Sequence, residues 1–243
     1  MFPPDDATFV QPHVRRYKHG LWQDIQENLA QEISLPISYA GGSKKLWAWP
    51  QHLDQLAAGH VLLDCLPQPG TVCGATACLE AGAGFRVSLQ PTADTFPSQS
   101  LPPRISAHSL LEHMTAFIKA PGLWDNTGCF HRAAMLDIHR AALIHVAEDI
   151  GRHNCVDRLA GYAALTSPQA LHPARFVLLI SSRITASLYH KARRAGFQCM
   201  VSRSAVTSGA YTAALNDSCT LLGFCRPEDS RVTIFADSPG RIH

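Results

Sequence analysis

Three short apolar runs separated by helical stretches constrain this chain more than any other feature. They are FVLLI (176–180), QCMVS (198–202) and CTLLGFC (219–225). FVLLI is continuously apolar, as expected of a strand buried on both faces. Between the first two runs lies ITASLYHKARRAG, a helical pattern stopped by Gly196, and between the second and third lies GAYTAALND. Right-handed crossovers would set the three strands parallel in one sheet. The second half of the chain therefore predicts an α/β architecture.

The remaining pattern extends that reading. CFHRAAML and AALIHVA are strand-like and joined by DIHR, which predicts a hairpin, and a helix is expected near Asn154 to Leu165. SAHSLLEHMTAFIKAPG predicts a helix capped by Ser106 and stopped at Pro121-Gly122. In the first half, ISLPISYAGGSKKLWAW reads as two strands around the turn GGSK, and GFRVSLQP as another strand. Pro50 stands at an expected first helical position, with Leu53, Leu56, Ala57 and Val61 on one face. TADTFPSQSLPPRIS has no period and reads as a connector. The expected organisation is an arm over 1–32, with residues 1–20 loosely docked, a smaller α+β part over 33–105, and an α/β domain over 106–243.

Composition narrows the function classes. A net charge of +2 is too small for general nucleic-acid binding, so any anion site must be local. No apolar stretch is long enough for a membrane span, and the N-terminus lacks the apolar core of a signal peptide, so a cytoplasmic protein is the expectation. The eight cysteines include no C-x-x-C pair, so no zinc is expected.

Chemistry gathers at the carboxyl ends of the expected parallel strands, where open α/β sheets bind ligands. FVLLI runs into Ser181-Ser182-Arg183, and QCMVS through Ser202 into Arg203-Ser204 and Thr207. CTLLGFC runs into Arg226, with Arg231 beyond. Hydroxyls, helix N-termini and planar guanidinium groups all favour phosphate, so three such ends predict a composite phosphate site. AEDIGRHNCVDRLAG (147–161) adds a second wall. Asn154 suits an N-cap with Asp157 in the first turn. Glu148 and Asp149 can hold Arg152 and Arg158 or accept from ring N–H groups of a ligand, and His153 can bind phosphate or exchange protons. TGCFHRAA (127–134) contributes Thr127, Gly128, Cys129 and His131. Cationic neighbours would favour a Cys129 thiolate, but a Cys and His pair without a visible third member is a weak nucleophile signal, and a packed or ligand-lining pair is the better reading.

Taken together, TGCFHRAA, EDIGRHNCVDRLAG, SSRITASLYHKARRAG, VSRSAVTS and LLGFCRP resemble, in order and spacing, the FdhD/NarQ family of formate dehydrogenase accessory sulfurtransferases. The resemblance implies a cytidine-deaminase-like three-layer fold with a mixed sheet and without the deaminase zinc site. It also implies a homodimer that takes persulfide sulfur from a cysteine desulfurase. The recipient would be the molybdenum (or tungsten) bis-molybdopterin guanine dinucleotide destined for the catalytic subunit of formate dehydrogenase, with GDP or GMP as a surrogate ligand. The family's cofactor stretch matches Phe224, Cys225, Arg226, Pro227, Glu228 and Asp229, with Arg231 nearby.

One departure bears on chemistry. The family carries its sulfur on a C-G-x-C-G loop, and the corresponding connector here has no cysteine. Sulfur relay needs a thiolate. Two readings follow: a sulfurtransferase using another cysteine, for which Cys129 is the best placed, or a non-catalytic carrier of the cofactor.

Overall fold

A computed structural model describes residues 9–66, 73–80, 84–91 and 104–243. The first two short strands are β1 (Phe9–Val10) and β2 (His13–Lys18), followed by β3 (Leu21–Gln26) and β4 (Leu29–Ala30). β5 (Ile33–Tyr39) and β6 (Gly42–Ala48) form the expected antiparallel hairpin. α1 (Leu53–His60) runs on into a π-helical turn over Val61–Cys65. β7 (Cys73–Glu80) and β8 (Gly84–Pro91) complete a sheet of order β6-β5-β8-β7. Leu53, Leu56, Ala57 and Val61 are buried against its Leu35, Ile37 and Val87, so α1 buries the face its spacing predicts.

The second part begins with α2 (Ala107–Lys119), capped by the Ser106 hydroxyl accepting from Ser109 N–H at 3.1 Å. α3 (Trp124–Thr127) is a single turn. β9 (His131–Asp137) and β10 (Ala142–Asp149) pair antiparallel, and α4 (Arg152–Thr166) follows. β11 (Val177–Ile180), α5 (Ala186–Ala195), β12 (Cys199–Ser202), α6 (Ser208–Asn216) and β13 (Thr220–Arg226) alternate as expected, and β14 (Arg231–Ala236) returns antiparallel. The sheet order is β10-β9-β11-β12-β13-β14, with β11, β12 and β13 parallel. It is the mixed sheet of an α/β fold.

Period-two alternation divides the core between two sides of this sheet. Leu178 and Ile180 of β11 pack with Val156, Leu159, Leu188 and Ala210 from α4, α5 and α6. Val177 and Leu179 pack with Leu110, Met114 and Phe117 of α2. The strands therefore sit between α2 and the α4–α6 layer, and both faces are covered.

The two parts meet backbone to backbone. A Cβ on Gly161 of α4 would lie 1.8 Å from the Gln55 carbonyl oxygen, and one on Gly59 of α1 would lie 1.8 Å from that of Asp157. Neither contact leaves room for any side chain. The small residues of LAGYAA thus set the distance at which α1 can cross α4.

Several elements differ from expectation. α1 begins at Leu53 rather than Pro50, because His52 sits at φ 46° and the carbonyls of Trp49, Gln51 and His52 point to the Arg158 guanidinium. α4 begins at Arg152 with Gly151 as its cap, so Asn154 is not the cap and Asp157 is not in the first turn. The expected loose arm contains a paired hairpin, β2 with β3. β7 went unexpected because its alanines and glycine carry little strand signal. The connector falls mainly on residues 92–103, outside the described residues. No helix among the described residues is long and apolar enough to cross a membrane.

The crossing yields a test. Gly161→Ala should destabilise the protein by about 1–3 kcal/mol or more through overpacking, measured by denaturant unfolding. An unchanged midpoint would contradict the close approach.

Candidate functional site

Two adjacent acids at the end of β10 point to opposite sides and hold different elements. Asp149 is fully buried and pairs with Arg158, which is 2% exposed. Arg158 also donates to the Trp49 carbonyl at 2.9 Å and to that of His52 at 3.0 Å. The other Asp149 oxygen accepts from Gly151 N–H and the Asn154 amide, both at 2.9 Å. Every polar atom of the pair therefore has a partner, which a buried ion pair requires to offset its desolvation.

Glu148 pairs instead with Arg132, its cross-strand neighbour, at 2.9 Å. Arg132 donates to the carbonyls of Phe117, Ala120 and Pro121, which end α2 without helical partners. Glu148 also accepts from Leu123 N–H at 3.1 Å. A Cβ on Gly122 would lie 2.2 Å from the Arg132 guanidinium and 2.6 Å from a Glu148 carboxylate oxygen, so any larger residue would have to displace this ion pair. Both acids are thus engaged within the protein. Neither is free to accept from a ligand, and Glu148 holds Arg132 rather than Arg152.

Above these clamps lies a cavity of about 460 Å³. It is lined by His131, Arg132, Arg152, Ser181, Ser182, Arg183, Arg203 and Ser204, together with Ile118, Trp124, Asp125 and Phe130. The carboxyl ends of β11 and β12 therefore do converge, with the first residue of α4 facing them. The Arg152 and Arg183 guanidinium groups make no hydrogen bond or ion pair among the described residues, and Arg152 Nε is buried without a partner. Arg203 is paired with Glu228. Burial first, then the Arg152 guanidinium, lower the His131 pKa.

The hydroxyls divide. Ser181 Oγ accepts from Arg132 N–H at 2.9 Å, and Ser202 Oγ donates to the Ser182 carbonyl at 2.7 Å while accepting from Ser204 N–H. Both secure the strand ends. The Ser204 hydroxyl has no partner among the described residues.

Other expected site residues lie outside the cavity lining. Thr127 ends α3, and Gly128 and Cys129 follow it on the surface, with Cys129 Sγ 3.0 Å from Thr127 Oγ1. Thr207 stands exposed at the N-cap position of α6 and makes no capping hydrogen bond through its hydroxyl. At the end of β13 a bulge holds Phe224 at φ 49°, and Arg226 and Arg231 stack on its ring at 5.3 and 4.3 Å. Pro227 opens the turn over Pro227–Asp229, where Asp229 lies 3.9 Å from Arg226. The Cys225 thiol is buried in the core, which pushes its pKa up to about 12. This run touches the cavity through Arg203 and Glu228.

His153 and Asn154 face a second cavity of about 400 Å³, with His153 Nε2 3.1 Å from Ser187 Oγ. Sequence reasoning missed what lines it. His60, Asp64 and Asp157 form a group able to hold a metal ion, and the Lys191 ammonium stands 2.7 Å from both carboxylates, where a cation would sit. Burial alone would lower the His60 pKa, but hydrogen bonds to Asp157 and Asp64 outweigh it and raise the value to about 9. The i, i+4 spacing of His60 and Asp64 was the available signal.

Fold and site together define an α/β protein with a cavity lined by guanidinium groups and hydroxyls at the carboxyl ends of its parallel strands. The sequence pattern of the FdhD/NarQ family matches residues 67–243, and the chain belongs to that family. Protein FdhD of Methanocaldococcus jannaschii is 38% identical over 103 residues, 42% of this chain and 44% of that protein. The sulfur carrier protein FdhD of Streptomyces avermitilis is 36% identical over 141 residues, 58% of this chain and 48% of that protein. The chain therefore aligns with about half the length of these curated relatives. A crystal structure from Desulfotalea psychrophila, described as a candidate formate dehydrogenase accessory protein, has a TM-score of 0.78. It covers 97% of this chain and all of its own at 20% identity, which shows the fold.

The His60 network has a signed pH consequence. His60 is raised from 6.5 to about 9, so its contribution is complete below 6.5 and is lost as pH rises through 9. Thermal melts across that window should show falling stability, and His60→Gln should flatten the slope. The same slope in the variant would contradict the assignment.

Proposed function

We propose that the protein is a formate dehydrogenase accessory protein whose cavity binds the phosphates of a guanine nucleotide. Through them it would hold one arm of molybdenum (or tungsten) bis-molybdopterin guanine dinucleotide. The observation that carries this reading is the pair of unpartnered guanidinium groups, Arg152 and Arg183, facing one cavity with the free Ser204 hydroxyl. Arg152 is half-buried with its Nε desolvated and unpartnered, a donor that an anion would satisfy, and the exposed Arg183 stands open on the same cavity. The residues fit the phosphate part of the cofactor, since guanidinium forks and a hydroxyl are its usual donors. A cavity of about 460 Å³ suits a single nucleotide. A homodimer would offer two such cavities for the two arms. GDP would serve as the surrogate ligand, and the setting would be the cytoplasm.

When bound, the cofactor supplies the metal centre that accepts sulfur. The chain's own task is to hold its phosphates: Arg152 from the first turn of α4, Arg183 from the end of β11, and Arg203 restrained by Glu228. Sulfur would come from a cysteine desulfurase. The Cys129 thiolate would attack the outer sulfur of the desulfurase persulfide, breaking its S–S bond and releasing the desulfurase thiolate. Cys129 is exposed, as such an encounter requires. The loaded cofactor would pass to the catalytic subunit of formate dehydrogenase.

A second reading, a non-catalytic cofactor carrier, is favoured by one observation. The sequence has no cysteine between Cys78 and Cys129, and Cys129 does not line the cavity. Intact mass after incubation with a desulfurase and cysteine separates the two. A persulfide adduct lost in Cys129→Ala supports transfer. No adduct, with GDP binding retained, supports the carrier.

The nucleotide site has its own test by calorimetric titration with GDP. Arg152→Ala and Arg183→Ala should each weaken binding by about 10-fold or more and make it less salt-dependent. Unchanged affinity in both would sink the phosphate assignment.

A further inference from the structure

The lining of the main cavity is segregated by chain segment. Residues 118–130 supply Ile118, Trp124, Asp125 and Phe130, while α4 and the strand ends supply the guanidinium groups and the Ser204 hydroxyl. One end is apolar with a single carboxylate, and the other is cationic. Resting on the phosphate reading above, we infer that Trp124 and Asp125 form the base-recognition end of this site: Trp124 stacks on the base and Asp125 selects guanine over adenine.

Three observations support the assignment. Trp124 is 53% exposed and has no aromatic ring partner among the described residues, so a face is available for a flat ligand. Asp125 is the one acid among the described residues that line the cavity, and the nearby Glu148 and Asp149 are held by Arg132 and Arg158. Its Oδ2 accepts from Gly122 N–H at 3.3 Å, which orients the carboxylate and leaves Oδ1 and the second lone pair of Oδ2 for a ligand. The platform is also anchored: Gly128 N–H donates to the Trp124 carbonyl at 2.7 Å, and Leu123 N–H donates to Glu148. Glu148 thus acts on the base end by position rather than by contact.

The selectivity follows from donor patterns. Guanine presents a ring N–H and an adjacent exocyclic amino group, two parallel donors that match a carboxylate. Adenine presents an acceptor at the corresponding ring nitrogen, which would face the carboxylate's lone pairs. Removing the acid should therefore erase discrimination without abolishing stacking or phosphate contacts. Hypoxanthine keeps the ring N–H but lacks the amino group, so it should fall between the two.

The test is titration of the full chain with GDP, IDP and ADP by calorimetry and by quenching of tryptophan fluorescence. Wild type should prefer GDP over ADP by about 10- to 100-fold, with IDP intermediate. Asp125→Asn should reduce that ratio to near unity with ADP affinity retained, and Trp124→Leu should weaken all three ligands. Arg183→Ala should weaken all three while keeping the ratio. Equal GDP and ADP affinities in wild type, or an unchanged ratio in Asp125→Asn, would overturn base recognition and leave the phosphate site standing. No nucleotide binding by wild type would overturn both.

Discussion

The buried pairing of Asp149 with Arg158 fixes the relation between the parts of this molecule. One carboxylate ends β10, one guanidinium stands on α4, and the same guanidinium gathers the carbonyls of Trp49, Gln51 and His52 ahead of α1. The β10–α4 junction and a segment about a hundred residues earlier are tied at one point, with no polar atom of the ion pair left over. Losing either partner would strand a charge in the interior, at a cost of about 3–5 kcal/mol. The glycine crossing of α1 on α4 lies beyond this clamp, and Trp49 packs edge-on against Phe130 beside it.

The clamp also decides which way the first turn of α4 faces. Gly151 and Asn154 are bonded to Asp149, so the turn cannot rotate. Arg152 is thereby turned toward the strand ends and His153 toward Ser187 and the second cavity. The neighbouring Arg132–Glu148 pair does the same for the end of α2, carrying Trp124 and Asp125 over the cavity. Two acids in sequence, side by side on a strand, thus position the opposite walls of one site. Its open cations are those that neither clamp uses.

How much of this was legible follows from the range of each interaction. FVLLI, QCMVS and CTLLGFC announced a parallel sheet because apolar runs and their crossovers are local patterns. Arg183 and Arg203 could be placed at its edge for the same reason. The partners of Glu148 and Asp149 were not readable in full. Arg158 follows Asp149 by nine residues across a single strand-to-helix junction, but Arg132 is a cross-strand neighbour, and strand register is set by tertiary packing. The family stretch from Phe224 to Asp229 begins inside β13 and continues past its end, yet a bulge and a left-handed Phe224 turn Arg226 and Arg231 onto an aromatic ring and out of the cavity. Asp125 carried no sequence signal, because an acid beside a tryptophan becomes notable only when a cavity lies next to both.

That leaves two cationic places a nucleotide can take: the cavity of Arg152 and Arg183, and the Arg226–Phe224–Arg231 stack outside it. A crystal structure of the protein with GDP separates them directly. The account predicts phosphate oxygens within hydrogen-bond distance of the Arg152 and Arg183 guanidinium groups. A nucleotide bound on the Phe224 stack, with Arg152 and Arg183 contacting nothing, would contradict it.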